Sequence, residues 1–186
     1  MNEEIKYQGR IVEVVELPQT DGRTFEFARR SPGVRLIIPS QDGTKLLLTK
    51  EFRRENSGYD YRLPGGKVFD KLIEYNDFLA SGMDIIEPAV ARAKIEGAEE
   101  TGLVIRALKH FVTAVNGTTM VWDLIYFVAT DWEELPTGQS LEAGEDIEVG
   151  WYALDEVKAM LARGEMQEYR SAGVLTQWLG SLQDIN

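Results

Sequence analysis

The 186-residue chain contains no cysteine, which excludes disulfides, thiolate zinc sites and cysteine nucleophiles. A reducing compartment such as the cytoplasm fits that composition. There is a single histidine, His110. Histidine-rich metal sites need more than one, and a Ser-His triad needs its one histidine well placed. His110 lies in the strand-like run Leu108 to Val112 with no evident partner, so it reads as structural. No apolar run is long enough to span a bilayer. Met1-Asn2-Glu3-Glu4 is acidic where a secretory leader would be basic, and the expected location is the cytoplasm. Positive charge is in short supply, with 20 Lys and Arg against 31 Asp and Glu and a net charge of −11. That balance argues against long nucleic acid and acidic membranes as partners. It leaves room for a small phosphorylated ligand, because a bound divalent metal inverts the local sign.

What is present is enough apolar material for a sizeable core, 44% hydrophobic and 10% aromatic, in a chain of one-domain length. Strand-like segments alternate with turns through the first half: Arg10 to Leu17, Thr24 to Arg29, Gly33 to Pro39 and Lys45 to Lys50. A helix is predicted from Pro88 to Thr101, with proline in its first turn and Gly102 at its end. Strands follow at Val104 to Val115 and Met120 to Ala129, then an acidic loop from Asp131 to Gly144 and a strand from Ile147 to Leu154. A helix capped by Asp155 runs to Arg163, and a last helix is expected near Val174 to Leu182. Strands on both sides of a central helix fit an α/β sandwich.

The central helix carries Glu96, Glu99 and Glu100. Positions i, i+3 and i+4 project from one stripe. Carboxylates that close repel one another by on the order of 4 kcal/mol per pair at an effective dielectric of about 20. A hard divalent cation, Mg²⁺ or Mn²⁺, is the natural counter-charge for oxygen-only ligands. A solvated acidic helix face is the competing reading.

Upstream stands Leu63-Pro64-Gly65-Gly66-Lys67, downstream Glu99-Glu100-Thr101-Gly102-Leu103. Together with Glu87 and Glu96 these resemble the Nudix hydrolase signature, a loop–helix–loop that opens on glycine and ends in Glu-Glu-x-Gly. The resemblance implies an α/β/α sandwich with a mixed sheet. There are departures from the pattern. Lys67 to Ile86 looks like an insertion of roughly fifteen residues, apolar and acidic enough to be an ordered flap. Gly82 is a competing start for the loop, one residue out of register. Ile95 replaces arginine, and Gly97 replaces an aliphatic residue. Arg92, four residues before Glu96, either takes over the missing arginine's orienting role or forms an ordinary surface pair.

The flanks are similar to ADP-ribose pyrophosphatases: Asp21 to Phe27, Leu47 to Arg53, and Gly144 to Val149 followed by Leu154-Asp155-Glu156. That resemblance implies a homodimer joined through an N-terminal β extension, residues 1–32, with the main domain at 33–186. It implies hydrolysis of ADP-ribose to AMP and ribose 5-phosphate. No proline follows at Val115 to Thr119, where that subgroup carries one, so GDP-mannose and other nucleoside diphosphate sugars stay open as substrates. Glu96 and Glu100 would be metal ligands, with Glu99 a ligand or water organiser. Gly65 and Gly66 would let backbone approach metal and pyrophosphate. Arg53 would contact substrate, or is a surface arginine beside Arg54. Glu145 or Glu142 would be the base, since Ala143 stands where the subgroup often has it. Tyr59 and Tyr61 read as ordinary aromatics. Two rival classes remain: a Nudix-fold module that binds nucleotide without cleaving it, and an unrelated acidic interaction protein.

Overall fold

A computed structural model of the chain describes residues 3–53, 57–141, 144 and 146–182. Two sheets carry the architecture. The smaller joins β1 (Glu4–Gln8), β2 (Glu13–Pro18) and β3 (Thr24–Arg29) antiparallel, and adds the two-residue β8 (Met120–Val121) parallel to β3. The larger is mixed, in the order β10 (Ile147–Ala153), β5 (Lys45–Arg53), β4 (Gly33–Pro39), β9 (Leu124–Glu134), β7 (Leu103–Ala114), with β6 (Gly58–Arg62) also on β5. One face packs against α2 (Ile86–Thr101) through Val34, Leu36, Ile38, Ala89 and Ala93. The other packs against α3 (Leu154–Ala162) and α4 (Tyr169–Ser181) through Ile37, Leu46, Val157, Leu175 and Trp178. The result is an α/β/α sandwich with a β extension. Among the described residues no helix is long and apolar enough to cross a membrane.

Two features of this sheet make a cleft. The first is a parting of neighbouring strands. β4 and β5 pair only at Ile38–Leu47 and Pro39–Leu46. Beyond that point β5 pairs with β6, from Thr49–Arg62 to Arg53–Gly58. The freed edge of β4 is taken by the turn after β6: Val34 N–H donates to the Gly66 carbonyl (2.9 Å) and Leu36 N–H to that of Pro64 (2.8 Å). The second is a paired crossover between the two sheets. Six residues from Ala28 to Gly33 run beside five from Met120 to Leu124. Pro32, which has no N–H to give, lies in the longer of the two, where the ladder breaks. Arg30 and Trp122 sit at this break.

Several boundaries differ from those expected. The strand expected at Met120 to Ala129 is interrupted at Trp122-Asp123, because its two ends belong to different sheets. β9 continues through Asp131 to Glu134, expected as loop, because β7 pairs with it as far as Leu103–Glu134, and Trp132 stacks on Trp151 with ring centroids 5.2 Å apart. α2 begins two residues before Pro88, where Asp84 accepts the Ile86 N–H at 3.0 Å; a proline in the first turn gives up no helix bond. α4 starts at Tyr169, earlier than expected, because Glu168 accepts the N–H groups of Arg170 and Ser171. Asp155 falls inside the first turn of α3, after the cap.

The insertion is ordered. It forms α1 (Leu72–Ser81), which buries Leu72 and Tyr75 and packs Phe69 against Tyr75 and Phe78. Gly82, the competing loop start, caps this helix. Asn76 donates to Glu13 at 2.9 Å, and the same fully buried carboxylate accepts from Arg29 at 2.7 Å. α1 is thereby tied to the smaller sheet. His110 is exposed and lies 3.0 Å from the Thr113 hydroxyl, which gives it a partner that the sequence did not reveal.

Candidate active site

α2 sits close to the sheet because Ala89, Ala93 and Gly97 lie along one stripe. At Gly97 a Cβ would fall 2.6 Å from Ile105 Cγ1 and 3.2 Å from Leu36 Cδ1. That is the physical reason for glycine where the Nudix signature that the sequence resembles has an aliphatic residue. The helix ends at Gly102, whose N–H returns to the Ala98 carbonyl at 3.1 Å.

The neighbouring stripe faces a cleft of about 340 Å³ between α2, the freed edge of β4, and β5. Glu96, Glu99 and Glu100 all line it, with Gly65 and Gly66 opposite. Gly65 has φ +146°, a conformation other residues avoid, and a Cβ there would lie 2.1 Å from the Val34 carbonyl oxygen. Its N–H donates to Glu100 Oε2 at 2.8 Å. At Gly66 a Cβ would fall 1.9 Å from Glu96 Oε1. The two glycines are thus a form-fitted seat for the two carboxylates. Glu96 is 7% exposed and bonded to Arg92, whose Nε and Nη2 both lie 2.8 Å from Oε1. Burial works against the Arg92 charge, but Glu96 and Asp70 together outweigh it and hold the guanidinium above its ordinary value. Arg92 therefore faces the cleft and is half-buried, which sets aside the surface-pair reading. Ile95 is 46% exposed and lines no part of the cleft. Glu87 is exposed in the first turn of α2 and does not line it either.

Arg53 lines the cleft from the end of β5, 3.0 Å from Glu51, and its Nε is buried without a hydrogen-bond partner. Glu142 and Glu145, the candidate bases, lie outside the described residues, as does Ala143. The chain leading to them is fastened to the end of α2. Leu135 N–H donates to the Gly102 carbonyl at 2.7 Å, Ser140 N–H to that of Glu99 at 2.9 Å, and the Gln139 amide to that of Glu100. Tyr61 packs edge-on against Tyr152 in the core, and Tyr59 is exposed beside Phe52.

The cleft also contains residues that sequence reasoning missed. Arg30 and Trp122 come from the crossover, Asp70 from the insertion and Arg35 from β4. Only Arg35 left a signal, as a charge inside the apolar run Val34-Arg35-Leu36-Ile37-Ile38. A charged residue in a central strand needs a reason, and a cleft is one.

Among the described residues no three acidic or histidine side chains converge closely enough to enclose a metal ion. The donors are nonetheless carboxylate oxygens throughout, at a turn whose glycines leave them room. That chemistry suits a hard divalent cation, with Arg92 holding Glu96 by Oε1 and the Gly65 N–H holding Glu100 by Oε2.

No family model matches the chain, and no curated protein sequence does. A solved structure described as an ADP compounds hydrolase is similar to it over 98% of this chain and 94% of that one, at 20% identity and a TM-score of 0.64. That likeness carries the fold, which is Nudix-like.

Proposed function

We propose that the cleft hydrolyses the P–O–P bridge of a nucleoside diphosphate joined to a sugar, ADP-ribose first, with Mg²⁺ or Mn²⁺ as cofactor. The observation that carries this reading is the seating of Glu96 and Glu100 against the Gly65–Gly66 turn, on the wall of a cleft lined by five Arg and Lys residues. Glu96 and Glu100 would hold the cation, with Glu99 beside them. When bound, it would screen the diphosphate and lower the pKa of the attacking water. Arg92 orients Glu96. Arg53 offers its guanidinium to a phosphate. Glu145 or Glu142 takes the water's proton as the new P–O bond forms, and the bridging oxygen leaves on the other phosphate, giving AMP and ribose 5-phosphate. The likeness to a protein described as an ADP compounds hydrolase supports this reading. The N-terminal sheet would join two subunits, since Ile5, Tyr7 and Phe25 on its strands are half-exposed or more.

A second reading, a module that binds nucleotide without cleaving it, is favoured by the absence of a three-carboxylate convergence among the described residues. Incubation of the pure protein with ADP-ribose and Mg²⁺ separates the two. Hydrolysis that falls on the order of 100-fold or more in Glu100→Gln, the loss of several kcal/mol of charge stabilisation, supports the enzyme. Saturable binding without product supports the module. Activity surviving Glu100→Gln within a few-fold refutes the site.

A further inference from the structure

From Trp122 to Ile125 the chain alternates between two cavities. Trp122 and Leu124 line the cleft, while Asp123 and Ile125 line a second cavity of about 370 Å³. The two share no lining residue. The insertion supplies much of the second wall, with Tyr75 and Phe78 from α1 and Met83 from the turn after it. Phe69 backs both rings, its centroid 5.8 Å from that of Tyr75 and 5.2 Å from that of Phe78.

Most of this wall is apolar or aromatic, and its two charged residues are both acids, Asp84 and Asp123. No Arg or Lys lines it among the described residues. Asp84 is exposed, and its Oδ1 accepts the Ile86 N–H at 3.0 Å. Asp123 is half-buried, and its carboxylate has neither a hydrogen bond nor an ion pair among the described residues. Burial raises its pKa, and Arg170, the charge that favours its ionised form, does not offset this. The Arg170 guanidinium is engaged elsewhere: it donates to the Trp122 carbonyl at 2.7 Å, lies 3.6 Å from Glu168, and sits 4.4 Å from the centroid of the Trp122 ring. A carboxylate that has lost water without gaining a donor attracts a cation more strongly than one in bulk solvent. Aromatic walls add to that attraction. A bare divalent ion needs six or more oxygens, which this wall does not offer. An ammonium on a carbon body matches both the acid and the apolar surface.

We propose that this cavity binds a small organic cation, with its ammonium group at Asp123 and its apolar body against Tyr75, Phe78 and Met83. The site goes beyond the hydrolysis proposed for the cleft and does not depend on it.

Titration of the full chain, followed by the amide signals in NMR, tests this without any need for turnover. The probes are phenethylammonium and phenethyl alcohol, which are alike in shape and differ in charge. The wild type binds the ammonium about tenfold or more tighter than the alcohol, with the largest shifts at the amides of Tyr75, Met83 and Asp123. Asp123→Asn brings that ratio to within about twofold of unity. Asp155→Asn removes an exposed acid on α3 and leaves the ratio unchanged, which separates the cavity from the general pull of a chain with net charge −11. Should Asp123→Asn fail to fold, the wild-type shift pattern and the Asp155→Asn ratio decide together. A wild type that binds neither probe or both equally, shifts centred outside the cavity, a ratio that survives Asp123→Asn, or one that falls as far in Asp155→Asn overturns the site.

Discussion

Glu96 and Gly97 are neighbours in the chain and are both buried, yet they face opposite problems. On the sheet side of α2, the helix contributes the glycine and the sheet contributes the bulk of Ile105 and Leu36. On the cleft side the roles reverse, and the helix contributes the bulky carboxylate while the turn contributes Gly66. The first contact is apolar, and shape alone fixes it. The second is charged, so shape is not enough, and Arg92 and the Gly65 N–H are needed to hold the acids in place. One helix stripe thus seats the helix on the sheet and the adjacent stripe carries the acids, each recurring at four-residue spacing and lying one residue from the other.

That division can be broken from either side. Gly97→Leu should cost about 3 kcal/mol, the upper end for overpacking, because Ile105 and helix backbone cannot both yield. For a chain of this size that lowers Tm by roughly 6–12 °C in thermal unfolding. Metal binding probes the other face. Mg²⁺ at about 100 times its Kd should stabilise by about 2.7 kcal/mol, and Glu96→Gln should abolish that rise in Tm. A Tm unmoved by Mg²⁺ in the wild type would deny the metal site. Arg92→Met leaves a buried carboxylate without its cation and should cost about 1.5–3 kcal/mol in denaturant unfolding, while lowering hydrolysis as well. Ile95→Arg places at an exposed position the arginine of the Nudix signature that the sequence resembles, and should change stability by less than about 0.5 kcal/mol. If it raised activity markedly, Arg92 would not be the orienting residue.

How much of this was legible in the sequence follows from the range of the interactions. Glu96 and Glu100 share a stripe by local helix geometry, and the Gly65–Gly66 turn is written in consecutive residues. The helix and the central strands were readable for the same reason, while the α/β/α layering followed from the resemblance to the Nudix signature. The cleft depends on β4 and β5 parting company after only two paired residues, and no local pattern announces a strand pairing that stops. Arg30 and Trp122 meet because two segments 92 positions apart cross between sheets together, as the Ala28–Met120 register records. The insertion read as ordered from its apolar content, but nothing in it disclosed that Asn76 would reach Glu13 in the N-terminal sheet. Asp131 to Glu134 looked like loop because the acidic side chains outnumber the single tryptophan that makes it strand.

The turn after β6 is fixed by main-chain atoms. The amides of Val34 and Leu36 are bonded to it as they would be to a neighbouring strand. Side-chain replacements at its flanks therefore leave its position intact. The same two amides are built-in reporters: their deuterium uptake would clock how often the turn lets go, whether or not anything occupies the site.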